Sequence, residues 1–376
     1  MHLTRLALTD FRSYAAADVR LEPGATTVTG LNGQGKTNLV EAAYYAATFG
    51  SHRVAADAPL VRHGADRAII RAAVSGTVRD SLLEIEVNPG RANRVRLNRV
   101  ALPRPREALG VLRCVLFAPE DLAVVKGDPD QRRRYLDDLL VACRPRYAGV
   151  RSDYERIVRQ RSALLKSARA RGGGVPRGLE VWDDQLVATG AELTAGRLGL
   201  VAAIRPHVAR AYSAVSGTAS DSALRYRPSF RGNDVRFDEQ PDPEPDKLAA
   251  ALREALEASQ RAELERGVCL VGPHRDELEL SIGALPARGY ASHGESWSMA
   301  LALRLAAFEV LRADGEDPVL ILDDVFAELD AGRRGRLAGL VAAAEQVLVT
   351  AAVGDDVPPE LSGRRLTVAA GVIADD

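Results

Sequence analysis

Gly30-Leu31-Asn32-Gly33-Gln34-Gly35-Lys36-Thr37 is the stretch on which the fold turns. It fits the pattern Gly, any four residues, Gly-Lys-Thr, a phosphate-binding loop. Its flanks agree, since Ala25-Thr26-Thr27-Val28 reads as a strand and Asn38 to Tyr45 as a helix. The glycines permit a tight backbone, and the loop amides with the helix N-terminus cradle phosphate oxygens. Lys36 reaches the β and γ oxygens of ATP and Thr37 ligates Mg²⁺, while Gly30, Asn32, Gly33, Gln34, Gly35 and Asn38 line the cradle. A Gly-rich turn before a helix also occurs without nucleotide. The Lys-Thr pair and a matching acidic strand downstream decide for ATP.

That strand is Val319-Leu320-Ile321-Leu322-Asp323-Asp324, an apolar run ending in two acids. Asp323 is placed to hold the Mg²⁺ hydration shell and Asp324 to polarise the attacking water, so Lys36, Asp323 and Asp324 are the expected catalytic groups. Just upstream, Ser292-His293-Gly294-Glu295 starts a helix. A helix N-terminus offers hydroxyl and amide donors to an anion, although Ser is equally a common N-cap. Its place before the acidic strand resembles the contact that ABC-type ATPases make with ATP held by a second subunit. That resemblance implies that Ser292 and Gly294 bind the nucleotide of another copy, with ATP as the glue of a homodimer.

The remaining composition is that of a globular chain. It has 376 residues, 46% hydrophobic and 27% charged, with a net charge of −1. No apolar run approaches the ~20 residues of a membrane span, and Met1 to Leu6 lack a signal-peptide layout, so a cytoplasmic protein without membrane partners is expected. Cys114, Cys143 and Cys269 are scattered and form no CxxC pair, which points to reduced, buried thiols. Charge is uneven. Residues 91–106 carry six arginines and no acid, and residues 131–178 carry twelve Arg and one Lys against four acids. Such segments offer phosphate-binding surface, though arginine-rich helices are as often solvated faces.

Strand texture covers 3–8, 19–21, 69–87, 93–100 and 111–117. Helical spacing follows over 131–142, 146–170 and 179–215, with breaks at Gly172-Gly173-Gly174 and Pro176. The Pro- and Asp-rich stretch 231–246 reads as a loop and 247–266 as a helix. Strands are expected again at 268–271, 278–280, 318–323, 346–350 and 365–369, with a helix at 294–313. The predicted organisation is therefore an α/β head split into 1–130 and 266–376, with a mostly helical arm inserted at 131–265. Trp182 and Tyr212 fall at core spacing rather than forming base-stacking platforms.

Taken together, these motifs resemble the RecF family of bacterial recombinational-repair ATPases, related to the SMC class. Carrying the resemblance are Phe11-Arg12-Ser13-Tyr14, the loop from Gly30 to Glu41, Ser51-His52-Arg53, and Phe117 to Leu122 with Lys126-Gly127. Arg132-Arg133-Arg134, Gly272-Pro273-His274-Arg275-Asp276, Tyr290 to Glu295 and Asp323 to Asp330 complete it. It implies an ABC/SMC-type ATPase head, discontinuous in sequence, with Arg12 near the adenine. It further implies ATP-driven dimerisation on single- and double-stranded DNA at gap junctions, and slow, DNA-stimulated hydrolysis for release. RecO and RecR would be recruited, RecA loaded, and the SOS response assisted. The basic segments 91–106 and 131–171 are the candidate DNA surfaces.

Departures from the ABC pattern are Glu120-Asp121 where a Gln is usual, Thr350 where transporters carry His, and Asp324 in place of Glu. All three suggest a switch rather than a fast motor. Glu295, Trp297 and Ser298 also depart from the residues common after Ser-x-Gly. His52, Arg53, His274 and Arg275 fit either phosphate or DNA contacts or structural turns. Two other classes remain: a transporter-type nucleotide-binding subunit, which places Ser-x-Gly far closer to the phosphate loop, and a structural SMC-like clamp, which needs a longer heptad insert.

Overall fold

The structure, a computed structural model, describes residues 1–77, 79–172, 174–218, 220–230 and 244–375. In chain order it begins with β1 (His2–Phe11), β2 (Tyr14–Arg20), β3 (Gly24–Thr29), α1 (Lys36–Thr48), β4 (Ala68–Ser75) and β5 (Ser81–Val87). Next come β6 (Arg94–Leu97), β7 (Val100–Ala101), β8 (Cys114–Phe117), α2 (Leu122–Lys126), α3 (Pro129–Cys143), α4 (Tyr147–Ala170) and α5 (Leu179–Ser216). After these stand β9 (Ser222–Arg227), α6 (Pro245–Arg266), β10 (Glu277–Ile282), β11 (Leu285–Pro286), the single turn α7 (Ala287–Tyr290) and α8 (His293–Arg312). The chain closes with β12 (Val319–Asp323), α9 (Ala331–Val341), β13 (Gln346–Ala351), β14 (Arg364–Ala369) and β15 (Val372–Asp375).

Two compact units form. One comprises Met1–Ala123, His207–Asp221 and Ala291–Asp376, the other Val124–Pro206 and Ser222–Tyr290. These bounds differ from the expected 1–130, 131–265 and 266–376 for a local reason. Ser222–Arg227 alternates half-exposed and buried residues and pairs antiparallel with β10 from Leu278↔Tyr226 to Ile282↔Ser222. That pairing draws 277–286 into the helical unit. The last turns of α5, beyond the internal Pro206, belong to the head.

The head holds two sheets. One is antiparallel, in the order β2-β1-β4-β5-β6-β7, and its strand β4 buries alternate residues, as one core-facing side of a pleat requires. The other runs β15-β14-β3-β13-β12-β8, parallel except for β15. Its strands β12, β13 and β8 are buried throughout, which explains their mostly apolar sequences, broken only by Asp323, Gln346 and Thr350. Helix α1 packs against β1 and β4 of the first sheet and β8, β12 and β13 of the second. It buries Leu39, Val40, Ala42, Ala43, Tyr45, Ala46 and Ala47, apolar on nearly every side because both sides are covered. The phosphate loop follows β3, and the ends of β12 and β13 lie in register beside it, with Asp323 opposite Thr350.

In the helical unit, arginines do structural work. Arg161, fully buried, pairs with Asp183 at 2.5 Å and Glu263 at 2.6 Å, joining α4 to α5 and α6. Arg161→Ala would strand the buried Glu263 carboxylate, an expected loss of roughly 3–5 kcal/mol. Thermal unfolding checks this, and an unchanged melting temperature would refute it. Arg197 grips Asp137 at 2.7 and 2.9 Å and the Pro273 carbonyl at 2.8 Å. Beside it, buried Asp276 accepts from Tyr226 Oη at 2.5 Å and Ser229 N at 2.7 Å.

His274 belongs to this junction. Tyr154 Oη lies 2.7 Å from its Nδ1 and the Cys269 carbonyl 3.3 Å from its Nε2, an arrangement satisfied by the neutral Nε2–H tautomer. Burial, with Arg275 and Arg133 nearby, lowers its pKa to about 4. The unfolded imidazole, near 6.5, binds its proton first, so His274 stabilises the fold above pH 6.5 and this contribution falls away towards pH 4. Denaturant titrations between those limits should show stability rising with pH by on the order of 3 kcal/mol, and rising less in His274→Gln.

Several expectations change. No strand forms at 268–271, because side chains take its backbone groups: Leu270 N donates to Glu263 Oε1 at 2.7 Å, and the Cys269 carbonyl accepts from Arg275 at 3.0 Å. The run 111–117 is strand only over Cys114–Phe117, and β9 and β15 lacked a strong sequence signal. Residues 231–243 of the expected loop lie outside the described residues, and α6 starts at Pro245, where a missing N–H costs nothing. Cys114 and Cys269 are buried thiols, while Cys143 is half-buried. Tyr212 is fully buried, whereas Trp182 is only partly so. Among the described residues α5 is long and apolar enough to cross a membrane, yet 61% of that window is buried within the protein, as in a core helix.

Candidate functional site

The loop backbone demands its glycines. Gly30, Gly33 and Gly35 have φ of 146°, 82° and 120°. A Cβ on Gly30 would stand 2.3 Å from the Val368 carbonyl oxygen, and one on Gly35 2.9 Å from Ser13 Oγ. Gln34 braces the loop rather than facing its hollow, since its Oε1 accepts from Ala370 N at 2.6 Å. Tyr14 Oη donates to the Gly35 carbonyl at 2.9 Å. Helix α1 has no side-chain cap and no acid in its first turn, so its leading amides face the loop's hollow free to meet an anion.

Lys36 is 3% exposed, and its Nζ curls back onto the Gly30 carbonyl at 2.8 Å, with the Leu31 carbonyl and Asn32 Oδ1 at 3.4 Å. All three acceptors are neutral, so none balances the charge of the ammonium. Thr37 Oγ1 donates to Asp323 Oδ1 at 3.0 Å, so the hydroxyl and carboxylate expected to flank a metal already touch. Thr350 Oγ1 donates to the same Oδ1 at 2.6 Å and accepts from Asp324 N at 2.9 Å. Thr350 lies inside β13, fully buried, and orients both acids. Asp324 takes a left-handed φ of 51°. Burial first, then the charge of Asp323, raises its pKa, with Lys36 and Thr350 opposing.

Among the described residues no cluster of three or more His, Cys, Asp or Glu side chains could cage a metal. One carboxylate with one hydroxyl is nonetheless the set that suits Mg²⁺, which keeps waters and draws further ligands from bound phosphates.

Behind the loop, Glu41 is fully buried and gathers several donors. Arg12 meets it in a two-pronged pair at 2.7 and 2.8 Å, and Ser51 Oγ donates to it at 2.5 Å. Arg53 reaches it at 3.5 Å and Asn38 Oδ1 at 3.1 Å. Asn38 Nδ2 donates to Ser13 Oγ at 2.9 Å. Arg12, Ser13, Asn38 and Arg53 line an open cavity of about 620 Å³ together with Pro59, Val61 and His63. Sequence reasoning missed Glu41, for which an acid inside an apolar helix was the available signal.

Ser292 is the N-cap of α8, in a reciprocal capping box with Glu295 at 3.3 and 2.8 Å. Gly294 leaves room for Arg333, whose guanidinium would stand 2.7 Å from a Cβ there. Arg333 Nε bonds Ser298 Oγ at 3.1 Å. Ser292 and Gly294 thus start α8 with hydrogen bonds to Glu295, Ser296 and Ser298 of the same helix, while Lys36, Thr37, Asp323 and Asp324 form a separate cluster. Glu120 is exposed, and Asp121 is structural: it caps Ala118 N at 3.0 Å and binds Arg304 on α8 at 2.5 Å.

The basic segments divide. Arg91, Arg94, Arg96, Arg99 and Arg104 are exposed, and Arg94, Arg96 and Arg99 sit on the β6–β7 hairpin at one sheet edge. In 131–171, by contrast, Arg132, Arg133, Arg146, Arg151 and Arg161 are committed to carboxylates or carbonyls within their own unit.

Comparison with known proteins agrees with this geometry. Residues 2–356 match the family model described as the RecF/RecN/SMC N terminal domain. The chain is 58% identical to the DNA replication and repair protein RecF of Frankia alni, over 99% of both chains. It is likewise 58% identical, over 99% of both, to that of Streptomyces avermitilis. A solved structure of the recombination mediator protein RecF-ATPrS in the RecFOR pathway matches with a TM-score of 0.89 at 26% identity, covering 100% of this chain and 98% of that one. The Smc head domain from Pyrococcus furiosus matches with a TM-score of 0.57 at 16% identity, covering 100% of this chain and 96% of that one, a likeness of fold alone.

Proposed function

The chain belongs to the RecF family, and from that premise we propose an ATP-dependent DNA-binding protein of replication and recombinational gap repair. The observation that carries it is the meeting of Lys36, Thr37, Asp323 and Thr350 at the uncapped start of α1. Bound phosphates take over Lys36 from the loop carbonyls. Thr37 and Asp323 hold Mg²⁺, which supplies charge neutralisation at the β and γ oxygens. Asp324 orients the attacking water, and its short side chain keeps hydrolysis slow.

The exposed Ser292 start of α8, whose hydrogen bonds among the described residues run within α8, supports a head that binds the ATP of a second copy. ATP then closes a homodimer on DNA at a gap, and hydrolysis opens it. RecR, RecO and RecA are the partners that family membership suggests, in the cytoplasm. Light scattering tests this. Monomers should become dimers on adding ATP and gapped DNA, and a chain that stays monomeric at saturating ATP and DNA would return Ser292 to an ordinary cap.

For DNA, the exposed β6–β7 arginines are favoured over 131–171, where Arg132, Arg133, Arg146, Arg151 and Arg161 are already committed. Replacing Arg94, Arg96 and Arg99 together by Glu should weaken DNA binding at least about tenfold and flatten the salt dependence by about three counterions. ATP affinity should stay as it is. A triple variant with the wild-type salt slope would place the DNA elsewhere.

A further inference from the structure

The loop after α1 carries an imidazole whose polar atoms are left without partners. The His52 side chain is 8% exposed, and neither Nδ1 nor Nε2 has a hydrogen-bond partner among the described residues. A buried polar atom in that state is costly, and it marks a place where a partner arrives. The nearest candidate is Asp323: His52 Nε2 stands 3.7 Å from its Oδ2, just beyond hydrogen-bond reach. The other oxygen, Oδ1, is already held by Thr37 and Thr350.

The ring is placed by a rigid support. Ser51 Oγ donates to the buried Glu41 at 2.5 Å and accepts from Arg53 N and Val54 N at 3.0 and 3.1 Å. Tyr44 packs edge-on to the imidazole, ring centres 5.7 Å apart. Glu41 is the same carboxylate that clamps Arg12 beside the open cavity. One buried acid therefore fixes both a wall of that cavity and the loop that aims His52 at Asp323.

Resting on the nucleotide-site function proposed above, we propose that His52 is a positioning residue for Asp323. When nucleotide is bound, Thr37 Oγ1 turns to the metal and Asp323 loses one of its two hydroxyl donors. The His52 Nε2–H closes on Oδ2 and takes that place, so that Thr350 and His52 hold the carboxylate from opposite oxygens. Partners of this kind, acting through a metal ligand, alter metal affinity by about 10–100-fold when removed.

The test is ATP affinity measured by fluorescent-nucleotide titration, with Mg²⁺ and with EDTA, for wild type, His52→Ala and His52→Gln. Gln can present an amide N–H near the place of Nε2. The three proteins should bind alike in EDTA. With Mg²⁺, His52→Ala should bind about tenfold more weakly than wild type, and His52→Gln should recover most of the loss. Equal losses with and without Mg²⁺, no loss in Ala, or a Gln variant no better than Ala would each overturn the assignment. A wild type that bound no ATP under either condition would instead sink the proposed function, and this inference with it.

Discussion

Lys36→Ala should lower ATP affinity at least about a hundredfold and keep the protein monomeric at ATP concentrations that dimerise wild type. The ammonium now rests on three neutral acceptors between 2.8 and 3.4 Å, none of which neutralises it. Phosphate oxygens offer charge-assisted bonds there, each worth roughly 1.5–3 kcal/mol, so losing two accounts for the effect. The fold should survive, because Lys36 makes no ion pair among the described residues and the glycines still shape the loop. Isothermal titration with ATP, alongside light scattering, gives the answer. An alanine variant that bound ATP like wild type would remove the phosphate loop from the account.

Asp324→Asn should cut ATP turnover about a hundredfold or more while leaving ATP binding and the ATP-dependent dimer intact, so that DNA is held rather than released. The left-handed φ of 51° at Asp324 is one that Asn accepts as readily as Asp, and the Asp324 N to Thr350 Oγ1 bond does not involve the side chain. What Asn removes is the basic oxygen proposed to orient the attacking water. Asp323→Asn should behave differently, weakening Mg²⁺-dependent binding itself, because Asp323 is the carboxylate that Thr37 and Thr350 hold. Turnover in Asp324→Asn within threefold of wild type would assign the water to another residue.

The two variants also separate the parts of the site that were legible early from those that were not. Lys36, Thr37, Asp323 and Asp324 are readable from sequence because backbone geometry at a strand-to-helix turn and at a strand end allows few residue types. Gln34 is different. It sits within the same motif, yet its side chain is spent on Ala370, more than three hundred residues away, and no local pattern announces that bond. Thr350 stands where transporters carry His, yet only the folded chain shows its buried hydroxyl joining Asp323 Oδ1 to Asp324 N. Glu41 and His52 gain meaning only from one another and from Arg12, Ser51 and Asp323.

A similar division holds for charge. Counting arginines marked both 91–106 and 131–171 as basic, and only the folded chain shows that the first is exposed on an edge hairpin while much of the second is tied to Glu277, Asp138, Asp183 and Glu263. The sequence by itself determined the nucleotide chemistry and the α/β head, because Gly-Lys-Thr geometry and the periods of strand and helix are local properties of the backbone. Tertiary structure alone decided which carboxylate each guanidinium meets, where β9 pairs, and which buried side chains surround Asp323. Those choices depend on contacts between residues from tens to hundreds of positions apart, and desolvation rather than residue type sets what they are worth.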